Sequence, residues 1–263
     1  MATAITPTDD AKTRAYKGQQ NTFGLLPGIK GSCPGATTGT GGCWHLKAGR
    51  KTHTCYVDNL MNFRPNIKGV LKRNFDLLRN ATYIRMVDLL DQEFHRFWKS
   101  EERRAGRTGE PERLWYRIHW SGDFFSLRYA RAMRAAIKLN PHINFWVYTR
   151  NFKVVPLLKD LPNLILYLSL DQCNAQKGLR VYHENGGPAN PNLRFAYMSE
   201  VNDFQVPAQK IAKSLDLTGK CAVWLKEALR VCPVDIGKLP KEQGCMTCGR
   251  CLSDQKQPVW FAS

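Results

Sequence analysis

The chain has 263 residues, 43% of them apolar, with 39 basic against 22 acidic side chains and a formal charge of +17. That length and apolar content suit one large domain, or one domain with a small appendage. No apolar run reaches membrane-spanning length, and the polar start MATAITPTDDAKTR lacks a signal-peptide core, so a membrane is not expected as partner and a cytoplasmic location is expected.

Nine cysteines in such a compartment point to metal or cluster ligation rather than disulfides. In chain order, residues 1–32 read as an extended or irregular lead-in ending in the turn-rich LLPGIKGS. Residues 33–56, CPGATTGTGGCWHLKAGRKTHTCY, hold Cys33, Cys43 and Cys55 in a Gly/Thr-rich stretch without period, which suits a loop around a metal. Pro65-Asn66 then opens a helix with Ile67, Val70, Leu71, Leu77 and Leu78 at helical spacing. A second helical run places Ile84, Val87, Leu90, Phe94 and Phe97 on one face, up to about Lys99. The stretch SEERRAGRTGEPER reads as a charged connector containing Arg103, Arg104 and Arg107.

The rhythm then changes to strands alternating with helices. LWYRIHW (114–120) reads as a strand with Trp115, Arg117 and His119 on one face, followed by Ser121-Gly122-Asp123 and the helix SLRYARAMRAAIKLN. NFWVYTR (144–150), LILYLSLD (164–171) and LRFAYMSE (193–200) read as further strands, with helices at VVPLLKD and VPAQKIAKSLD. Such alternation predicts parallel βα units. Each strand ends in polar residues: Ser121 and Asp123, Thr149 and Arg150, Ser169 and Asp171, Ser199 and Glu200. The carboxyl ends of parallel strands are where α/β folds place their sites, so a shared polar mouth is expected there.

The tail carries Cys232, Cys245, Cys248 and Cys251 in CPVDIGKLPKEQGCMTCGRC. Three thiols at C-x2-C-x2-C with a fourth upstream suit a [4Fe-4S] cubane; zinc bound by four cysteines is the competing reading. The N-terminal group has only three thiols, so a cluster there leaves one iron open to a further ligand. His45 and His53 lie among them, which keeps a mixed Cys/His zinc site in play. Cys173 and Cys221 have no close partners in sequence and read as core or outer thiols. His119 could point into the mouth or serve as a satisfied core histidine, and Asp123 could simply cap the following helix. The basic excess points to nucleic acid as partner, with Lys47, Arg50, Lys51, Arg64, Lys68, Lys72 and Arg73 in and after the cysteine loop.

The ordered set FGLLPG, CPGA, CY, RIHWSGDFFS, FWVYTR, LSLD and CPVD with CMTCGRC, from Thr22 to Cys251, resembles the phage gene product 88 family. The resemblance implies an iron–sulfur protein in the host cytoplasm, with a layout like the partial open (βα) barrel of radical S-adenosylmethionine (SAM) enzymes. It implies a barrel over residues 1–230 and a cluster-binding tail over 231–263. It implies that Cys33, Cys43 and Cys55 hold a cluster, that Ser121, Gly122 and Asp123 bind SAM, and that a radical acts near His119, Asp123, Arg150 and Asp171. The spacing here, C-x9-C-x11-C, differs from the C-x3-C-x2-C usual in that class. A cluster closed by Asp58 or Asp123 therefore remains an alternative, as does a protein that binds nucleic acid without catalysis.

Overall fold

The computed structural model describes residues 3–10, 13–35, 44–47, 50–53, 55–171, 174–199, 230–231, 248–249, 252 and 259–262, with backbone alone at 44–47, 50–53, 56, 58–59, 198–199, 230–231 and 259–262. The Gly/Thr-rich stretch after Cys33 is not all loop. Strands β1 (Trp44–Lys47) and β2 (Arg50–His53) pair antiparallel as a hairpin, Trp44 opposite His53 and Lys47 opposite Arg50. Their connection, Ala48-Gly49, is a weaker turn signal than Asn-Gly, and the basic strands show no apolar alternation to mark them.

Helix α1 (Tyr56–Phe63) precedes α2 (Pro65–Arg79), whose first-turn proline has its ring where no backbone donor is needed. Leu71, Phe75 and Leu78 bury one face of α2. Helix α3 (Tyr83–Thr108) starts on a Thr82 cap and takes in residues 100–108 of the stretch expected to be a connector, ending at the left-handed Gly109. Two physical facts carry it on. Glu and Arg are good helix formers, and Glu101 and Arg104 are buried rather than solvated. Glu101 accepts hydrogen bonds from the Tyr16 hydroxyl, Gln19 Nε2 (3.1 Å) and the Arg113 amide (3.1 Å), so α3 anchors the N-terminal lead-in.

Strand β3 (Trp115–Ile118) is shorter than its apolar run. His119 takes a left-handed backbone, φ 58°, which ends the strand and breaks the alternation of faces. Helix α4 (Leu127–Leu139) follows, capped by the Ser126 hydroxyl on the Tyr129 amide, so Asp123 is not its cap. Strand β4 (Asn144–Thr149), a 3-10 turn at Phe152–Val154 and the short helix α5 (Val155–Leu158) come next. Strand β5 (Leu164–Leu170) leads to α6 (Ala175–Glu184), a helix the apolar pattern did not announce. Gly178 weakens its signal, yet that glycine is required by packing: a Cβ there would lie 2.2 Å from Leu170 Cδ2. Strands β6 (Leu193–Ser199), β7 (Arg230–Val231) and β8 (Val259–Ala262) complete the described elements. The helix expected over 206–216 lies outside the described residues, as does the tail apart from 231, 248–249, 252 and 259–262.

Among the described residues six strands form one sheet in the order β3-β4-β5-β6-β8-β7, and each of these pairings is parallel. From β3 to β6 each strand lies beside its successor in sequence, the singly wound order rather than the doubly wound one. The sheet is open. At its β3 edge the lead-in adds an extended segment: Arg117 N donates to Asn21 O (2.9 Å), Trp120 N to Phe23 O (3.1 Å) and Leu25 N to Ser121 O (2.8 Å). Residues 21–25 thus precede β3 both in the chain and in space.

The main core lies between the helices and one face of the sheet. Tyr116 and Ile118 of β3, Phe145 and Val147 of β4, Leu166 and Leu168 of β5 and Phe195 of β6 meet Phe94, Phe97, Tyr129, Met133 and Leu179 there. The opposite face is aromatic and cationic. Tyr148 stacks on Tyr167 with centroids 4.8 Å apart, and the guanidinium groups of Arg117 and Arg194 lie over those rings at 5.7 and 5.9 Å.

Candidate functional site

The turn LLPGIKGS brings Ser32 against the end of β3. Ser32 N donates to Leu26 O (2.8 Å) and Cys33 N to Gly28 O (3.1 Å), which closes the turn. The Ser32 hydroxyl then donates to Leu26 O (2.9 Å) and accepts from Asp123 N (3.2 Å). Ser121 Oγ donates to Leu25 O (2.9 Å). Between them Gly122 has φ 86°, and a Cβ there would sit 2.3 Å from Ser32 Oγ. Glycine is needed here twice, for the backbone angle and for the approach of the cysteine-bearing turn. Ser121-Gly122-Asp123 and Cys33 therefore belong to one neighbourhood.

Asp123 is buried and accepts four hydrogen bonds. Its Oδ1 takes Phe124 N (2.7 Å) and Thr149 Oγ1 (2.6 Å); its Oδ2 takes Arg150 N (2.8 Å) and Asn151 N (3.2 Å). Burial pushes its carboxyl above the ordinary value, and these four donors pull against that shift. The effect is to lock the end of β3 to the end of β4. Arg150 Nη1 donates to Asp171 Oδ2 at the end of β5, a pair that is 9% and 0% exposed. Asp171 also accepts from Asn174 N (3.1 Å), while Asn174 Oδ1 accepts from Asp171 N (2.8 Å). A Cβ at Gly35 would lie 3.2 Å from Arg150, so the turn after Cys33 packs on β4 as well.

Asp123, Arg150 and Asp171 are thus brought together with Ser121, Gly122 and the Cys33 turn at the carboxyl ends of parallel strands. His119 is placed elsewhere. Its Nε2 is 2.7 Å from the Tyr129 hydroxyl, and its ring packs edge-on against Phe23 and Phe124 in the helix-side core. The left-handed backbone turns it from the face of Trp115 and Arg117 to that of Tyr116 and Ile118. Burial, with the nearby Arg117 charge, pushes its pKa down to about 3, so the ring is neutral. Nδ1 has no hydrogen-bond partner.

Cys33 and Cys55 are half-buried, as is Cys248. Cys43, Cys173, Cys221, Cys232, Cys245 and Cys251 lie outside the described residues, and the side chains of His45, His53 and Asp58 are not described. Among the described residues no group of three or more His, Cys, Asp or Glu side chains could hold a metal ion. No helix among them is long and apolar enough to cross a membrane. Ser32, Asn151 and Asn174 were not singled out by the sequence. Asn174 carries a local signal, an Asx turn three residues after Asp171; Ser32 in a turn looks like any loop serine.

The architecture and mouth define an open, singly wound parallel α/β protein with a buried polar junction at its strand ends. The chain belongs to the gene product 88 family, whose profile matches residues 3–254. It is 36% identical over 162 residues to the Gene 88 protein of Mycobacterium phage L5, and 33% identical over 163 residues to that of Mycobacterium phage D29. The matched stretch covers 61% of this chain and 61% and 60% of those proteins. These relatives support a bacteriophage origin. No solved structure matches the chain significantly.

Proposed function

We propose that this is a phage iron–sulfur protein with a radical SAM-like layout that acts on nucleic acid. The observation that carries the reading is the chain order at the mouth: segment 21–25, then the Cys33 turn and Cys55, then helices, then β3 and Ser121-Gly122-Asp123 against Ser32. In a partial barrel the first strand, the cysteine loop and the end of the second strand stand in that relation. Soft thiolates suit an iron–sulfur cluster, and Cys33 and Cys55 are half-buried, as ligands must be to shield a cluster from water.

In this reading Cys33, Cys43 and Cys55 would hold one [4Fe-4S] cluster, and Cys232, Cys245, Cys248 and Cys251 a second in the tail. Ser121, Gly122 and Asp123 would hold SAM. The cluster would supply the electron that cleaves SAM. Asp123 fixes the ends of β3 and β4, and the buried Arg150–Asp171 pair fixes β4 to β5, so the mouth keeps its shape whether or not a ligand is present. His119 acts from behind as a neutral prop for Tyr129 and Phe124.

A second reading draws on one specific observation. Both oxygens of Asp123 already accept two bonds each, and Arg150 is already paired with Asp171. A mouth whose charges are so engaged also suits a nucleic-acid-binding protein with structural or redox-sensing clusters and no catalysis. Electron paramagnetic resonance of the anaerobically purified, dithionite-reduced protein separates the two. A reduced-cluster signal that changes when SAM is added supports the enzyme. A cluster signal indifferent to SAM supports the second reading, and the absence of any cluster overturns both.

A further inference from the structure

The exposed side of α2 carries positive charge along its whole length. Lys68, Lys72 and Arg79 share one stripe at helical spacing, Arg64 stands just before the helix, and Arg73 is exposed beside them. Lys72 pairs with Asp76 at 2.5 Å; among the described residues Arg64, Lys68, Arg73 and Arg79 form no ion pair. Lys68, Arg73 and Arg79 on the helix and Arg64 at its cap, without carboxylate partners among the described residues, repel one another, a cost that a polyanion laid along them would remove. Arg128 of α4 continues the ridge, its Nη2 donating to Arg79 O at 3.5 Å.

The ends of the ridge are aromatic. Phe63, the last residue of α1 and next to Arg64, is 84% exposed, the most exposed large apolar side chain among the described residues. Tyr83, just beyond Arg79, is 42% exposed. A phenyl ring held that far into water buries little of its surface against the described residues, and it offers a face to an unpaired base. A duplex hides its base faces. Fifteen residues of helix span about 22 Å, which suits a few nucleotides, the short end of single-strand sites.

We propose that the α2 ridge binds single-stranded nucleic acid, with phosphates along Arg64, Lys68, Lys72, Arg73 and Arg79 and a base stacked on Phe63. The proposal rests on the nucleic-acid part of the reading above and adds where the strand lies and that it is unpaired. The test uses the full chain and fluorescence anisotropy with a labelled oligodeoxythymidine, its ribonucleotide counterpart, and a duplex of mixed sequence. Single strands are expected to bind more tightly than the duplex, and affinity to fall steeply with salt. Phe63→Ala should weaken single-strand binding about tenfold, with Phe63→Trp restoring it, and leave the salt slope unchanged. The pair Lys68→Gln with Arg73→Gln should weaken binding and reduce the slope by about 1.4. Both variants alter exposed side chains, and matching circular dichroism verifies their fold. If the wild type binds but these variants bind equally well, or if the duplex is preferred, the ridge proposal fails while the nucleic-acid reading stands. If the wild type binds no nucleic acid even at low salt, both fall.

Discussion

His119 is held neutral by its surroundings, and that has a consequence for stability. In the unfolded chain a histidine titrates near 6.5; in the fold burial keeps it near 3. The folded pKa is the lower one, so below pH 6.5 the unfolded state takes up a proton that the native state refuses. His119 therefore costs nothing above pH 6.5 and destabilises the fold progressively as pH falls toward 3, by up to about 1.4 kcal/mol per pH unit. His119→Gln should flatten the acid limb of the stability curve relative to wild type, measured by urea unfolding from pH 7 to 4. Parallel curves would mean that the ring is reached by water. Asp123 makes a different prediction. An isosteric amide must turn its NH2 toward donors on one side or the other, so Asp123→Asn should destabilise by about 2 kcal/mol. Near-wild-type stability in that variant would show that the four bonds are not made in solution. The polar residues of this mouth were readable in the sequence, because each strand ends in them. The inward turn of His119 was not, since strand alternation carries no mark of a single left-handed residue.

At the scale of elements, α3 decides how the lead-in is held. Glu101 is fully buried and collects Tyr16, Gln19, Arg104 and the Arg113 amide. Removing it leaves the buried Arg104 with the exposed Glu110 as its one carboxylate partner among the described residues. Glu101→Ala should cost about 3 kcal/mol and speed amide exchange in residues 13–25 more than in β4 or β5. Uniform exchange across the sheet would show that the lead-in is held by its own backbone bonds instead. Strands β3 to β6 and α4 were legible from apolar runs and period, and Pro65 marked the start of α2, whereas β7 and β8 were not expected. The second half of α3 was not, because charged residues read as solvated until tertiary contacts bury two of them. The β1–β2 hairpin and α6 were hidden by a weak turn and an interior glycine.

Across the whole molecule, the parallel order was foreshadowed by strands alternating with helices, and the open sheet with 21–25 at its edge sets the cysteine turn on the strand ends. The spacings C-x2-C-x2-C and C-x9-C-x11-C suit thiolate ligation of either iron or zinc, so the element bound is not written in the cysteine pattern. The tail reading gives one prediction at this scale. If Cys232, Cys245, Cys248 and Cys251 hold the proposed tail cluster, Cys248→Ala should lower iron content while leaving the proposed cluster at Cys33, Cys43 and Cys55 in place. An unchanged iron content would remove Cys248 from the ligand set. The most direct measurement is the iron, acid-labile sulfide and zinc content of the anaerobically purified wild-type chain. Iron and sulfide in equal amounts, with little zinc, is the predicted result; stoichiometric zinc with no sulfide would contradict the iron–sulfur account.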